Sequence, residues 1–260
     1  MIIRRGDVEI AVTGRGDVGP VVVMLHGLAG SSRELLPTAD ALIDSFRTLL
    51  IDQRGHGTST RRPADLSREA FVGDVVAVIE ELVPGERVRL VGQSMGAHTA
   101  LLTAAARPDL VDRLVMLEGN AGGDDRPEEA RRIGEYFASW PVPFADEASA
   151  RSFLGDGALA VAWFNDLERT RGGLRPRFDA DVMEATIAAV QADRWMEWEN
   201  LATPTLAVFA ENGMFTAAQK AELIRRRPGT RRADLAGGSH DAHLDAFDRW
   251  IELLRRYLNE

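Results

Sequence analysis

The sequence predicts an α/β protein, a doubly wound and mostly parallel sheet with a helical cap inserted between two of its later strands. Three observations predict it. Short apolar runs such as Val21-Val22-Val23-Met24-Leu25 alternate with stretches of helical periodicity. One strand–helix junction carries the tight turn Gly92-Gln93-Ser94-Met95-Gly96. The alternation stops after Glu118 and resumes at Thr205, with aromatic, helix-like sequence between.

The elements follow in order. Val8 to Val12 alternates weakly, as an edge strand does, whereas 21–25 is continuous and β-branched, as expected of a strand covered on both faces. A helix over 33–45 and a buried strand over 47–52 come next. Residues 65–83 place Phe71, Val75, Val78, Ile79 and Leu82 at helical spacing and stop at Pro84-Gly85. Val88-Arg89-Leu90-Val91 is a short strand, and the alanine- and leucine-rich 97–106 is a helix that ends before Arg107-Pro108. Another strand covers 113–117, and helices of this length between strands imply right-handed crossovers in one sheet. Residues 119–202 open with Gly119-Asn120-Ala121-Gly122-Gly123-Asp124-Asp125 and hold no convincing buried strand. They carry Tyr136, Phe137, Trp140, Phe144, Phe153, Trp163, Phe164, Trp195 and Trp198. A strand over 205–210, a helix over 217–226, a strand over 231–235 and a helix over 241–257 complete the chain. The expected division is a core of 1–118 and 203–260 with a cap of 119–202.

Composition narrows the function classes. At 260 residues and 45% apolar content the chain can bury a substantial core. It has no cysteine, hence no disulfide, thiolate metal site or cysteine nucleophile. A net charge of −9 without a basic cluster argues against nucleic acid and anionic membranes as partners. No apolar run is long enough to span a bilayer, the first residues lack a signal-peptide core, and cytoplasmic residence is expected.

The G-x-S-x-G pentapeptide alone is a weak signal, arising by chance in about one such chain in ten. Its setting between a strand and a helix makes it a nucleophile elbow. Such a turn strains the serine backbone, lifts Oγ at the carboxyl edge of the sheet and aims the first helical N–H groups at the reacting atom. An acyl-transfer serine also needs a base, an orienting acid and an oxyanion hole. Of the five histidines, His26 ends a strand in His26-Gly27-Leu28-Ala29-Gly30, and His56 lies in Asp52-Gln53-Arg54-Gly55-His56-Gly57; both read as structural. His98, one turn after Ser94, is read first as a satisfied helix histidine and second as a pocket residue. His240 follows the flexible Gly237-Gly238-Ser239 after the last strand and is expected to be the base, with His243 already in the next helix.

These residues, in this order and over nearly the whole chain, resemble the α/β-hydrolase fold family, specifically its cap-bearing esterase, haloperoxidase and carbon–carbon hydrolase members. The resemblance implies an oxyanion hole from the Leu28 and Met95 backbone N–H groups, worth roughly 3–4 kcal/mol of barrier reduction. It implies no metal and no organic cofactor. One departure stands out. Most members place the acid in a Gly-x-x-Asp pattern after the strand that here is 205–210, and this chain reads Ala210-Glu211-Asn212-Gly213. Some relatives take the acid from the end of the preceding strand, which makes Glu118 the expected orienting acid, Glu211 the second candidate, and Asp124 and Asp125 distant third ones.

The expected activity is hydrolysis of an ester, thioester or lactone with a modest apolar group, the cap supplying a hydrophobic lid in which Trp163 and Trp195 are candidate pocket residues. A serine rather than an aspartate nucleophile argues against haloalkane dehalogenase and epoxide hydrolase chemistry. Rival readings are a carbon–carbon hydrolase, a cofactor-free haloperoxidase, and an inactive small-molecule binding protein. Oligomeric state is left open.

Overall fold

The computed structural model describes residues 1–123 and 127–260. In chain order the elements are β1 (Ile2–Arg5), β2 (Val8–Arg15), β3 (Val21–Leu25), α1 (Ser32–Asp40), β4 (Arg47–Ile51), α2 (Arg68–Leu82), β5 (Val88–Gln93), α3 (Met95–Ala106) and β6 (Val111–Leu117). Then come α4 (Pro127–Ala138), α5 (Glu147–Leu154), α6 (Ala158–Asp166), β7 (Glu168–Thr170), β8 (Gly173–Arg175), α7 (Ala180–Val190) and α8 (Trp195–Glu199). The chain closes with β9 (Thr205–Asn212), α9 (Ala217–Arg226), β10 (Arg231–Ser239), α10 (Ala242–Asp245) and α11 (Phe247–Leu258).

Eight strands form one sheet in the order β1-β2-β4-β3-β5-β6-β9-β10. From β4 to β10 every neighbouring pair is parallel, and only the β1 and β2 edge runs antiparallel. Alternation along β3 explains why the strand is apolar throughout. Val22 and Met24 pack on one face with Leu35, Trp250 and Leu254, from α1 and α11. Val21, Val23 and Leu25 pack on the other with Val75, Val78, Ala97 and Leu101, from α2 and α3. Both faces are thus covered by helices, the arrangement that buries such runs.

Three sequence expectations need adjustment. The first helix ends at Asp40, where Leu42 N–H bonds Ala39 O at 2.9 Å, a three-residue step that tightens the chain out of the α register. The last helix is split at Ala246, and Asp245 turns its carboxylate back onto Ser239 N–H at 3.1 Å. The 119–202 insertion contains a short antiparallel hairpin, β7 with β8, turning at Arg171-Gly172. Its three-residue strands, polar except for Leu174, bury too little apolar surface to stand out from the sequence.

The aromatic residues of the insertion mostly form its own core. Phe137, Trp140, Phe144 and Phe178 cluster with Ala29 of the loop after β3, and Trp163 packs against them. Trp198 belongs instead to the core beneath the sheet, its indole N–H donating to Leu223 O at 2.9 Å. Arg61 and Arg62 bind the insertion to the core loop after β4 through Asp179, at 2.8 and 2.7 Å. Among the described residues no helix is long and apolar enough to cross a membrane.

Candidate active site

β5 ends at Gln93 and α3 begins at Met95, so Ser94 is the whole of the turn between them. Its backbone sits at φ 52°, ψ −118°, a strained conformation for a residue with a side chain. The turn closes because the residues two positions before and after Ser94, Gly92 and Gly96, lack Cβ atoms. A Cβ on Gly96 would lie 2.2 Å from Leu25 O, and one on Gly92 would lie 2.3 Å from Gly96 O. Ser94 N–H bonds Leu117 O at 2.9 Å, which ties the elbow to β6.

The loop after β3 packs directly on this elbow, since a Cβ on Gly27 would approach the Ser94 Cβ to 3.5 Å. Gly30 N–H closes a turn on Gly27 O at 3.2 Å, with Ala29 at φ 59°. Among the described residues neither inner amide of that turn has a backbone acceptor, and Leu28 carries the first of them. Met95 N–H, at the first position of α3, likewise has no intrahelical acceptor. The two expected oxyanion donors therefore belong to the two segments that meet at the elbow.

Glu118 follows β6 at φ 49°, also in the left-handed region. Its side chain is fully buried, and its Oε2 lies 3.3 Å from His240 Nδ1. Ala210 N–H donates to Oε1 and Met214 N–H to Oε2, each at 2.8 Å. Burial pushes the carboxyl pKa up, but the His240 contact and the two amides outweigh it and hold the group below its ordinary value. Gly213, the residue standing where most relatives place the acid, is what makes room. A Cβ there would lie 2.3 Å from Glu118 Oε1. The competing carboxylate, Glu211, is exposed and accepts Gly237 N–H at 2.7 Å. Asp124 and Asp125 lie outside the described residues.

His240 is also tethered through its backbone. Gln93 Nε2, one residue before Ser94, donates to His240 O at 3.0 Å. Sequence reasoning missed this bridge, for which the polar amide inside the elbow was the available signal. It also missed Gln53, whose N–H donates to His26 Nε2 at 3.0 Å and whose Nε2 donates to His26 O at 2.7 Å. With Asp52 holding Ser32 N–H at 2.7 Å, this network fixes the loop that presents Leu28. His26 and His56 are accordingly fully buried structural residues. His243 is buried against Glu34, at 3.2 Å, and not at the elbow.

His98 departs from its first reading. It is 3% exposed, but among the described residues neither ring nitrogen has a hydrogen-bond partner, which departs from a satisfied helix histidine. It lines a cavity of about 540 Å³ together with Ser94, Met95 and Glu118. Ile133 of α4, Ile187 and Val190 of α7, and Met214 and Phe215 after β9 supply its apolar wall. Trp163 and Trp195 are not in that wall. Trp163 serves the insertion's core, and Trp195 lies under Gly122 and the Arg226 guanidinium, 4.4 Å from its ring. Among the described residues no three His, Cys, Asp or Glu side chains converge as metal ligands.

Burial lowers the His56 pKa to about 3 and the His98 pKa well below its usual value. Both rings bind protons more readily in the unfolded chain, so stability falls as pH drops through the ordinary histidine range toward their folded values. Each contributes up to roughly 1.4 kcal/mol per pH unit. Urea midpoints are expected to fall between pH 7 and pH 5, with a shallower fall in His56→Gln. A flat profile would contradict the neutral burial of these rings.

A family model described as the alpha/beta hydrolase fold matches residues 20–247. The chain belongs to that enzyme family. It is 42% identical to the mouse sn-1-specific diacylglycerol lipase ABHD11 over 92% of this chain and 81% of that protein. It is 26% identical to the 2-(acetamidomethylene)succinate hydrolase of Mesorhizobium japonicum over 90% of this chain and 86% of that one. A crystal structure of E-2-(acetamidomethylene)succinate hydrolase superposes with a TM-score of 0.89 at 24% identity, covering 100% of both chains, and shares the fold.

Proposed function

We propose that this chain is a serine hydrolase of carboxylic esters, thioesters or lactones that works through an acyl-enzyme on Ser94. The carrying observation is the buried Glu118 carboxylate 3.3 Å from His240 Nδ1, with a strained Ser94 lining the same cavity as Glu118. Ser94 Oγ attacks the carbonyl carbon, and His240 takes its proton and returns it to the leaving group. Glu118 orients the imidazole and stabilises the imidazolium, while Leu28 and Met95 N–H receive the oxyanion. Water, activated by His240, then releases the acid. This chemistry calls for no metal or organic cofactor. The 119–202 insertion acts as the cap, with α4 and α7 facing the substrate's apolar group.

The test is reaction with a fluorophosphonate probe. Covalent labelling mapped to Ser94 is expected, and an unlabelled serine in folded protein would overturn the reading in favour of a binding protein. The cap assignment has its own test. Ile187→Ala and Val190→Ala are expected to move the preferred acyl length of nitrophenyl esters upward, changing kcat/KM ratios about tenfold, as methylene-scale pocket changes do. Trp163→Ala should instead lower the melting temperature with little change in preference.

A further inference from the structure

We infer that the cavity beside Ser94 ends in an anion-binding subsite made by His98 with Arg68 behind it, and that the carbonyl substrate carries a carboxylate. This rests on the acyl-transfer reading of Ser94 and adds the substrate's charge.

His98 lies one turn beyond Ser94 on α3 and lines the same cavity. Both its ring nitrogens are buried without a partner among the described residues. Buried polar atoms left this way are uncommon, and each demands a reason. A ligand group that arrives with the substrate is one. The charge comes from Arg68, the first residue of α2, which is 1% exposed. Its guanidinium lies 4.4 Å over the Phe71 ring and reaches Thr99 Oγ1, while Nε and Nη1 have no partner among the described residues. Among the described residues it forms no ion pair. Its sequence neighbour Glu69 is exposed and pairs with Arg194 at 3.3 Å.

A buried cation without a counter-ion is unfavourable unless something compensates it. Burial, then Arg194, lower the Arg68 pKa to about 9, so the group is still charged at neutral pH. Burial, then Arg68 and Arg194, keep His98 neutral. The end of the cavity therefore offers a neutral imidazole backed by fixed positive charge, which complements a carboxylate. Among the described residues of the facing cap wall, the acidic Glu129 is paired with Arg132 at 3.0 Å. With Ile133, Ile187 and Val190 between, the fitting substrate has a short apolar body, a carbonyl at Ser94 and a terminal carboxylate.

The experiment compares monomethyl glutarate with dimethyl glutarate. Calorimetry on Ser94→Ala protein, which does not turn over, should show the monoester binding about tenfold tighter or more, as expected of one charge-assisted contact. That preference should shrink to about threefold or less in Ser94→Ala carrying His98→Leu or Arg68→Met, and survive in part with His98→Gln, which keeps an N–H donor. Equal binding of the two esters, no monoester binding at millimolar concentration, or a preference that survives both substitutions would overturn the subsite. Hydrolysis by the unsubstituted protein separates the two claims. A binding preference without hydrolysis or probe labelling removes the acyl-transfer reading and leaves the subsite standing.

Discussion

Ser94→Ala is expected to lower kcat for a nitrophenyl ester by a factor on the order of 10⁴ or more, because the oxyanion donors alone give little turnover. The fold should persist. Ser94 is held through its backbone, by the Leu117 carbonyl at 2.9 Å, and Ala29 shows that this chain keeps alanine at φ 59°. Circular dichroism on the variant checks the fold, and steady-state kinetics checks the rate. His240→Ala should be similarly damaging, since no other histidine reaches Glu118. His243→Ala should act differently. It empties a buried site against Glu34, whose carboxylate lies under Gly30 in the turn that carries Leu28, so the melting temperature should fall more than the rate per folded molecule. Near-wild-type turnover by Ser94→Ala would dismiss the nucleophile, and a deeper kinetic loss in His243→Ala than in His240→Ala would move the base.

The parts of the site that could be read from sequence are those built by local rules. A strand, the turn at Ser94 and a helix are contiguous within one pentapeptide motif, so the elbow announces itself, and the Gly237-Gly238-Ser239 run marks the His240 loop. The parallel sheet was equally legible because β3, buried on both faces, cannot alternate. What escaped depends on approaches between distant segments. Nothing near Gln93 says that its amide will reach the His240 carbonyl, and nothing near Arg68 says that it will be buried without a carboxylate. Periodicity puts His98 on a covered face of α3 but does not say that the cover is a cavity. The aromatic run of the insertion shows the same limit. Composition marks a core, while the position of α7 decides that Ile187 and Val190, not Trp163 and Trp195, face Ser94.

Glu118→Gln is expected to cost a factor of roughly 10³ to 10⁴ in kcat, because the amide keeps the shape but sets the wrong imidazole tautomer and cannot stabilise the imidazolium. Glu211→Gln should retain most activity, since Glu211 holds only the Gly237 amide at the surface. The contrast between the two variants tests the placement of the acid at the end of β6, and a reversed ranking would return it to the strand used by most relatives. Gly213 makes the prediction sharper. The departure that weakens the resemblance at this position and the seat of the carboxylate proposed as the acid are one steric fact. The Glu118 head occupies the space a side chain at 213 would need, within 2.3–2.5 Å of the place where its Cβ would stand. Gly213→Ala should therefore displace Glu118 from His240 Nδ1 without touching either residue chemically. A shift of about 1 Å in such a contact can cost on the order of 10²-fold in rate. The loss should appear in kcat, with Ser94 still labelled by the probe, only more slowly. Full activity in Gly213→Ala would mean that the acid does not need this seat, and the Glu118 assignment would fall with it.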